Sequence, residues 1–335
     1  MKYNICSLGN AIVDITFQIG MDFQEKLRER GISLSSMTLI EEKDQDSLLE
    51  ELNLSYKEDS FKACGGSATN TIIAASNFGA NCHHTCKVSN DEFGEFYLSD
   101  LADNKISCNT KASISELPSG RCVVMVTPDA ERTMCTCLGI SGEVSTQDVD
   151  EEAIKNSEYL YIEGYLVTSE TALAAVYKAA DIALKNGVKI ALSLSDPNIV
   201  QNFKDQFLEI LKRDCDLIFC NESEAINFSQ VERVDNSVKF LREHSKRGFI
   251  TLGSKGCLAW DQEKKLEVPA EKANPVDTNG AGDMFAGAAL TALCEGYDLR
   301  KSAEFGCYAA PKKVESFGPR LTKNQYKKLK QDFFI

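Results

Sequence analysis

Apolar positions along this chain fall into two alternating rhythms. Short unbroken runs at Tyr3–Leu8, Tyr159–Ile162, Lys189–Leu194, Leu217–Cys220 and Phe249–Leu252 have the length and composition of strands buried on both faces. Between them lie the helical stretches Glu170–Lys185, Asn202–Lys212 and Ser237–Ser245, and Asn186-Gly187 ends the first of these as a C-cap glycine does. Strands alternating with helices predict an α/β fold: a doubly wound, mostly parallel sheet with helices on both faces.

Two regions break the rhythm. Segments at about 16–40 and 106–138 hold short alternating pieces such as Arg121-Cys122-Val123-Val124-Met125-Val126, with a hairpin signal at Thr127-Pro128-Asp129-Ala130. Both are β-like and polar on one face, which predicts a small extra sheet packing as a lid. A separate hairpin is expected where Cys257–Trp260 and Lys264–Val268 flank Asp261-Gln262-Glu263. There is no internal repeat, low-complexity tract or Pro/Gly linker, so residues 1–335 are read as one domain carrying that lid subdomain.

Composition narrows the function classes. A net charge of −13 argues against nucleic acid or an anionic membrane as partner, while leaving local nucleotide binding open. The N-terminal run has no basic start and no long apolar core, and no run approaches the ~20 apolar residues of a membrane span. With 13 cysteines read as reduced, mostly buried thiols, the expectation is a cytoplasmic protein. Cys82-His83-His84-Thr85-Cys86 looks like a metal cluster, but in an alternating stretch its side chains point to opposite faces, and no second cluster follows. Only His83, His84 and His244 exist, and His244 lies in a charged helix end, so general-base work falls to a carboxylate.

One carboxylate stands out. Asp277-Thr278-Asn279-Gly280-Ala281-Gly282-Asp283 leads directly into the apolar helical run from Met284 to Leu293. A helix start leaves backbone N–H groups unpaired with partial positive charge, and glycines let a bulky anion reach them. Asp283 beside such an anion makes sense as the acceptor of a proton from the group that attacks a phosphate. Further glycine-rich or polar segments occur at Gly9-Asn10-Ala11-Ile12-Val13-Asp14, Cys64-Gly65-Gly66-Ser67-Ala68-Thr69-Asn70-Thr71, Asn221-Glu222-Ser223-Glu224 and Thr251-Leu252-Gly253-Ser254-Lys255-Gly256. None is Gly-x-Gly-x-x-Gly, and no Gly-Lys-Ser/Thr occurs, so dinucleotide and Walker-type sites lose support. All follow strands or precede helices, and ligands of open parallel sheets bind beyond the carboxyl ends of the strands.

In these segments the chain resembles the ribokinase-like (PfkB) family of sugar and nucleoside kinases. Asp277-x-x-Gly280-Ala281-Gly282-Asp283 is similar to one family signature and Gly65-Gly66-x-x-x-Asn70 to the other, and the likeness runs on to Gly318-Pro319-Arg320. The resemblance implies ATP-dependent phosphorylation of a hydroxymethyl group with Mg2+. It makes Asp283 the base, Gly280, Ala281 and Gly282 the anion hole, and Arg132 a lid arginine that neutralises transferring charge. Asp14, Gly65, Gly66 and Asn70 would hold the acceptor's hydroxyls. Asn221 and Glu224 would organise Mg2+-bound phosphates through water, with Thr251, Gly253, Gly256 and Asn279 against the nucleotide. A monovalent cation, K+, is implied at Asp277, and the family's lids allow a monomer or a homodimer.

Within the family, Ser193-Leu194-Ser195-Asp196-Pro197-Asn198, Leu217–Glu222 and the Gly-Pro-Arg are most similar to the adenosine-kinase branch, which implies transfer to the 5′-hydroxyl of a nucleoside. Asp196-Pro197-Asn198 is also similar to ribokinase or fructokinase, leaving a ribose, fructose or 2-keto-3-deoxygluconate kinase as the alternative. Phe17 and Phe285 are candidate purine contacts, although each reads first as core. A catalytically silent nucleotide-binding regulator would lack the base or the anion hole, and this chain has both.

Overall fold

A computed structural model describes residues 2–56, 60–129 and 131–334. Its strands are β1 (Tyr3–Leu8), β2 (Ile12–Gln18), β3 (Met37–Leu39), β4 (Ser60–Gly65), β5 (Cys82–Thr85), β6 (Gly120–Val126), β7 (Arg132–Cys137), β8 (Ser157–Ile162), β9 (Lys189–Ser193), β10 (Leu217–Asn221), β11 (Arg247–Thr251), β12 (Cys257–Trp260) and β13 (Lys265–Val268). The helices are α1 (Phe23–Glu29), α2 (Glu42–Tyr56), α3 (Ser67–Asn77), α4 (Glu92–Asp103), α5 (Glu151–Lys155), α6 (Glu170–Lys185), α7 (Pro197–Asn202), α8 (Lys204–Leu211), α9 (Glu222–Ser229), α10 (Val234–His244), α11 (Ala281–Cys294), α12 (Leu299–Val314) and α13 (Lys323–Phe333).

The larger sheet runs β13-β12-β11-β10-β9-β8-β1-β5. From β5 to β11 every pairing is parallel, and β12 and β13 add the expected antiparallel hairpin at one edge. Its strands are apolar on both faces, and the two-residue period divides them between two layers. Ile5, Tyr159, Ala191, Phe219 and Phe249 pack with α3, α11 and α12, whereas Cys6, Leu160, Leu192, Ile218 and Ile250 pack with α6, α8 and α10. This is the doubly wound α/β arrangement with helices on both faces.

The smaller sheet has the order β3-β7-β6-β2-β4. Ile15, Phe17, Val123, Met125 and Cys135 on its outer face pack against Phe23 and Leu27 of α1 and Leu48 and Leu52 of α2. Its inner face carries Ile12, Asp14, Cys122, Met134 and Thr136 toward the larger sheet. The composition of this sheet differs from the expected 16–40 and 106–138. Strand β2 begins at Ile12, and β4 joins as a third piece, pairing antiparallel with β2. Residues 106–117 run instead beside the main body, with Ser107 N donating to Cys82 O (3.0 Å) and Ser113 N to Val88 O (3.0 Å). The apolar anchor of that stretch, Ile106, is buried in the layer under the larger sheet, which ties it there. The β6–β7 turn is closed by Thr127 N donating to Glu131 O (3.1 Å); Ala130 of the hairpin signal lies outside the described residues.

The expected helix Asn202–Lys212 appears as α8, and a further short helix, α7, begins before it at Pro197. Its cap is Asp196, whose carboxylate accepts from Asn198 N (2.7 Å) and Ile199 N (3.1 Å). The Cys-His-His-Thr-Cys stretch contributes β5. His84 meets Ser7 Oγ at 2.8 Å and is held neutral by burial, its pKa driven down to about 3. Among the described residues no helix is long and apolar enough to cross a membrane.

Candidate active site

Between the two sheets lies a cavity of about 420 Å³. The carboxyl ends of β8, β9, β10 and β11 reach it, as do the starts of α3 and α11. Parallel strands bring their ends to one edge, so segments far apart in sequence share a single wall.

The start of α11 forms its floor. Gly280 is the N-cap in a left-handed conformation (φ 72°), and a Cβ there would press on the Pro319 carbonyl, so this position requires glycine. A Cβ at Gly282 would meet nothing within 4 Å, so the space beside the first turn is open. Asp283 stands in that first turn. Its Oδ1 accepts from Ser67 Oγ (2.7 Å) and its Oδ2 from Asn70 Nδ2 (3.2 Å). Burial raises its pKa to about 6, while those two hydrogen bonds favour the anion and oppose the rise. A carboxylate so poised takes up a proton far more readily near neutrality than an ordinary aspartate.

Three more carboxyl groups surround it. Asp14, on the inner face of β2, is raised by burial to about 7, against the pull of Arg320. A Cβ on Gly65 would collide with the Asp14 carboxyl, so the glycine makes room for it. Glu163, just beyond β8, is raised by burial to about 7 and accepts from Ala68 N (2.8 Å) and Asn10 Nδ2 (3.0 Å). Glu224 is likewise raised by burial to about 7 and forms a capping box with Asn221 at the start of α9. The Asp283 charge adds to the rise at all three. The wall thus carries four carboxyl groups against the single guanidinium of Arg132.

Arg132, at the start of β7, crosses from the smaller sheet to this floor. Its Nη2 donates to Thr278 Oγ1 (3.0 Å), and its Nε lies 3.5 Å from Asp277 Oδ1. Asp277 itself is buried behind the turn, with Asn279 N donating to Oδ1 (2.8 Å) and Gly318 N to Oδ2 (2.9 Å). Lys313 backs it from α12; burial lowers its pKa to about 8, against the opposing attraction of the Asp277 and Asp283 carboxylates.

Comparison with known proteins identifies the family. The sequence model described as pfkB family carbohydrate kinase matches residues 31–325. This chain belongs to that family. A ribokinase of Haemophilus influenzae is 30% identical over 264 residues, spanning 76% of this chain and 82% of its own length. The crystal structure of an adenosine kinase from Sinorhizobium meliloti is 30% identical with a TM-score of 0.92, covering 99% of this chain and 100% of that one. A probable sugar kinase from Rhizobium etli is 28% identical, also at 0.92, covering 100% and 99%. The protein is thus a pfkB-family phosphotransferase with an alcohol group as acceptor, from a family that uses ATP and typically a divalent metal.

In this kinase the cavity wall includes Asp14, Gly66, Asn70, Arg132, Asn221, Glu224, Thr251 and the whole stretch from Thr278 to Asp283. Gly65 and Asp277 stand directly behind it. Gly253 and Gly256 lie outside the wall, at the β11–β12 turn, where Gly256 (φ 101°) has no room for a Cβ against the Val268 carbonyl. Phe285 lines the cavity, whereas Phe17 is core beneath α1 and α2. Sequence reasoning passed over Ser67, Glu163 and Lys313. Ser67 occupies an unspecified position inside Gly65-Gly66-x-x-x-Asn70, and Glu163 follows a strand that had been recognised, so the strand-end rule reaches it.

Proposed function

We propose that this kinase transfers the γ-phosphoryl group of ATP to the 5′-hydroxyl of adenosine or a related nucleoside. The observation that carries the acceptor is the apolar flank of the cavity: Ile12, Leu39, Cys122, Met134 and Leu138 from the smaller sheet and its margin line it. Leu39 stays half exposed there although it is large and apolar. Such a flank gives a base something to rest on and gives a bare sugar little. The S. meliloti adenosine kinase, similar along the whole chain, supports the same reading.

In this reading Asp14 and Asn70 bind the ribose hydroxyls, and Asp283 takes the proton of the attacking hydroxyl. The amides of residues 280–283 receive the negative charge that gathers on the transferring group. Phosphoryl transfer passes through a loose transition state, so a weak base suffices and alignment does most of the work. The carboxyl-lined wall fits Mg2+: Asn221 and Glu224 would hold it together with the phosphates, and the ion would neutralise phosphate charge there. The smaller sheet acts as a lid whose closure excludes water, with Arg132 moving from Thr278 toward the phosphoryl group. All 13 cysteines are free thiols, which fits a reducing cytoplasm.

A sugar kinase is the second reading, favoured by the ribokinases among the sequence relatives. The polar pair that pointed that way at sequence level counts for less here. Asp196 is spent on capping α7, Asn198 is exposed, and neither lines the cavity. A coupled ADP-release assay across adenosine, inosine, guanosine, ribose, fructose and 2-keto-3-deoxygluconate tests the proposal. The expected result is kcat/KM for adenosine well above that for every free sugar. Turnover of a sugar with none for any nucleoside would replace the first reading with the second.

A further inference from the structure

The family resemblance implies a monovalent cation near Asp277, and in this chain a lysine side chain ends beside that residue. Lys313, in the last turn of α12, is fully buried. Its Nζ donates to the Asp277 main-chain oxygen at 2.7 Å, lies 3.5 Å from Ser316 O, and stands 3.9 Å from Asp277 Oδ2. Two carbonyl oxygens and a carboxylate converging on one point are the donor set a hard cation requires. An ammonium group is a compact point charge with three donors, so it meets the same demand from a tether. The residues present therefore do not fit a free ion at that point.

The lysine also sits where a cation would matter. The end of α12 is stitched to the turn before α11: Val276 N and Asp277 N both donate to Val314 O, at 2.7 and 3.1 Å. Gly318 N holds Asp277 Oδ2 at 2.9 Å, and Gly280 rests without a Cβ on the Pro319 carbonyl. Asp277 in turn fixes Asn279 through its backbone amide, at 2.8 Å. Charge placed on the Asp277 carbonyl is thus connected, bond by bond, to the turn that presents the 280–283 amides and the Asp283 carboxylate.

We infer that Lys313 is a tethered replacement for a monovalent cation, a positioning residue that locks the 277–283 turn and frees this kinase from K+. The inference rests on that turn being the phosphate-binding element proposed above, but not on which acceptor the enzyme uses. An unburied lysine would contribute little to such a role; here the ammonium has no solvent alternative to its oxygen ligands.

The test compares KCl with choline chloride at equal ionic strength, using whichever acceptor the ADP-release screen identifies, so that a sugar acceptor would refute the nucleoside reading and leave this one testable. The wild-type enzyme should show the same kcat and the same melting temperature in both salts. Lys313→Met, which keeps length and loses charge, should lower kcat by about tenfold or more while KM for the acceptor changes less. Lys313→Ala opens the space between the oxygens, and KCl but not choline chloride should restore its rate severalfold. The wild-type comparison needs no variant to fold. A wild-type enzyme activated by KCl, a folded Lys313→Met with wild-type kcat, or a folded Lys313→Ala indifferent to KCl would each overturn the inference.

Discussion

Asn70 Nδ2 donates to Asp283 Oδ2 at 3.2 Å, joining two glycine-led helix starts that lie 213 residues apart in the chain. The helices they open, α3 and α11, pack so closely that a Cβ on Gly287 would collide with the Thr71 carbonyl. A side chain proposed to grip the acceptor thus also holds the carboxylate proposed to deprotonate it. With Ser67 on the other oxygen, the Asp283 carboxylate is oriented by the protein's own side chains. Positioning of this kind is what phosphoryl transfer chiefly asks of a protein.

Removing the carboxylate should therefore separate chemistry from binding. Asp283→Asn keeps a side chain of the same shape beside Ser67, so the fold and ATP affinity should persist while kcat falls ~10²–10⁴-fold. Calorimetry with ATP and single-turnover rates on the same preparation check both halves. A folded variant with near-normal turnover would remove Asp283 from the base role.

The acid limb of the pH–rate profile should report the same group. Burial raises Asp283 to about 6, and the base works only when ionised, so the rate should fall as pH drops through that region. Ser67 donates to the ionised form, and losing that donor disfavours the anion. Ser67→Ala should thus move the acid limb to higher pH than in the wild type. A limb that stays in place would show that another group controls it.

The strand ends and both glycine signatures were legible in the chain because they depend on local pattern and on a rule about sheet edges. What was not legible depends on tertiary neighbours. Lys312 and Lys313 are adjacent in α12, yet the first is partly exposed and the second fully buried on Asp277; nothing in Ala-Pro-Lys-Lys-Val separates them. The smaller sheet was read as two pieces because Ser60–Gly65 alternates weakly, and only pairing with β2 makes it a strand. Arg132 was placed on the lid, but its resting contacts with Thr278 and Asp277 required the two sheets to be set face to face.

Asp14 offers a test in which stability and function should move in opposite directions. Its folded pKa, about 7, lies above the ordinary aspartate value because burial penalises the charge. For a raised acid the stabilising contribution is complete below the unfolded pKa and is lost as pH rises through the folded one. At pH 8 the ligand-free protein therefore carries an unfavourable buried charge that Asp14→Asn removes. The variant should melt a few degrees higher than wild type at pH 8, keep a smaller advantage at pH 5, and bind the acceptor more weakly at both. Equal melting temperatures at pH 8 would mean the Asp14 charge is compensated, with Arg320 the neighbouring cation to examine.

Arg132 distinguishes a lid that merely covers from one that takes part in transfer. Its guanidinium donates to Thr278 Oγ1 and lies near Asp277, one residue removed from the first amides of the turn proposed to bind the phosphoryl group. Charge on the transferring group grows only in the transition state, so an arginine that reaches it then contributes to kcat more than to ground-state binding. Arg132→Ala should accordingly lower kcat by about 10²-fold or more, with KM for the acceptor changed far less. Arg132→Lys should recover only part of the loss, because an ammonium cannot reproduce the planar fork that spans two oxygens. If the alanine variant raised KM and left kcat intact, Arg132 would be a latch for the closed lid rather than a partner of the phosphoryl group.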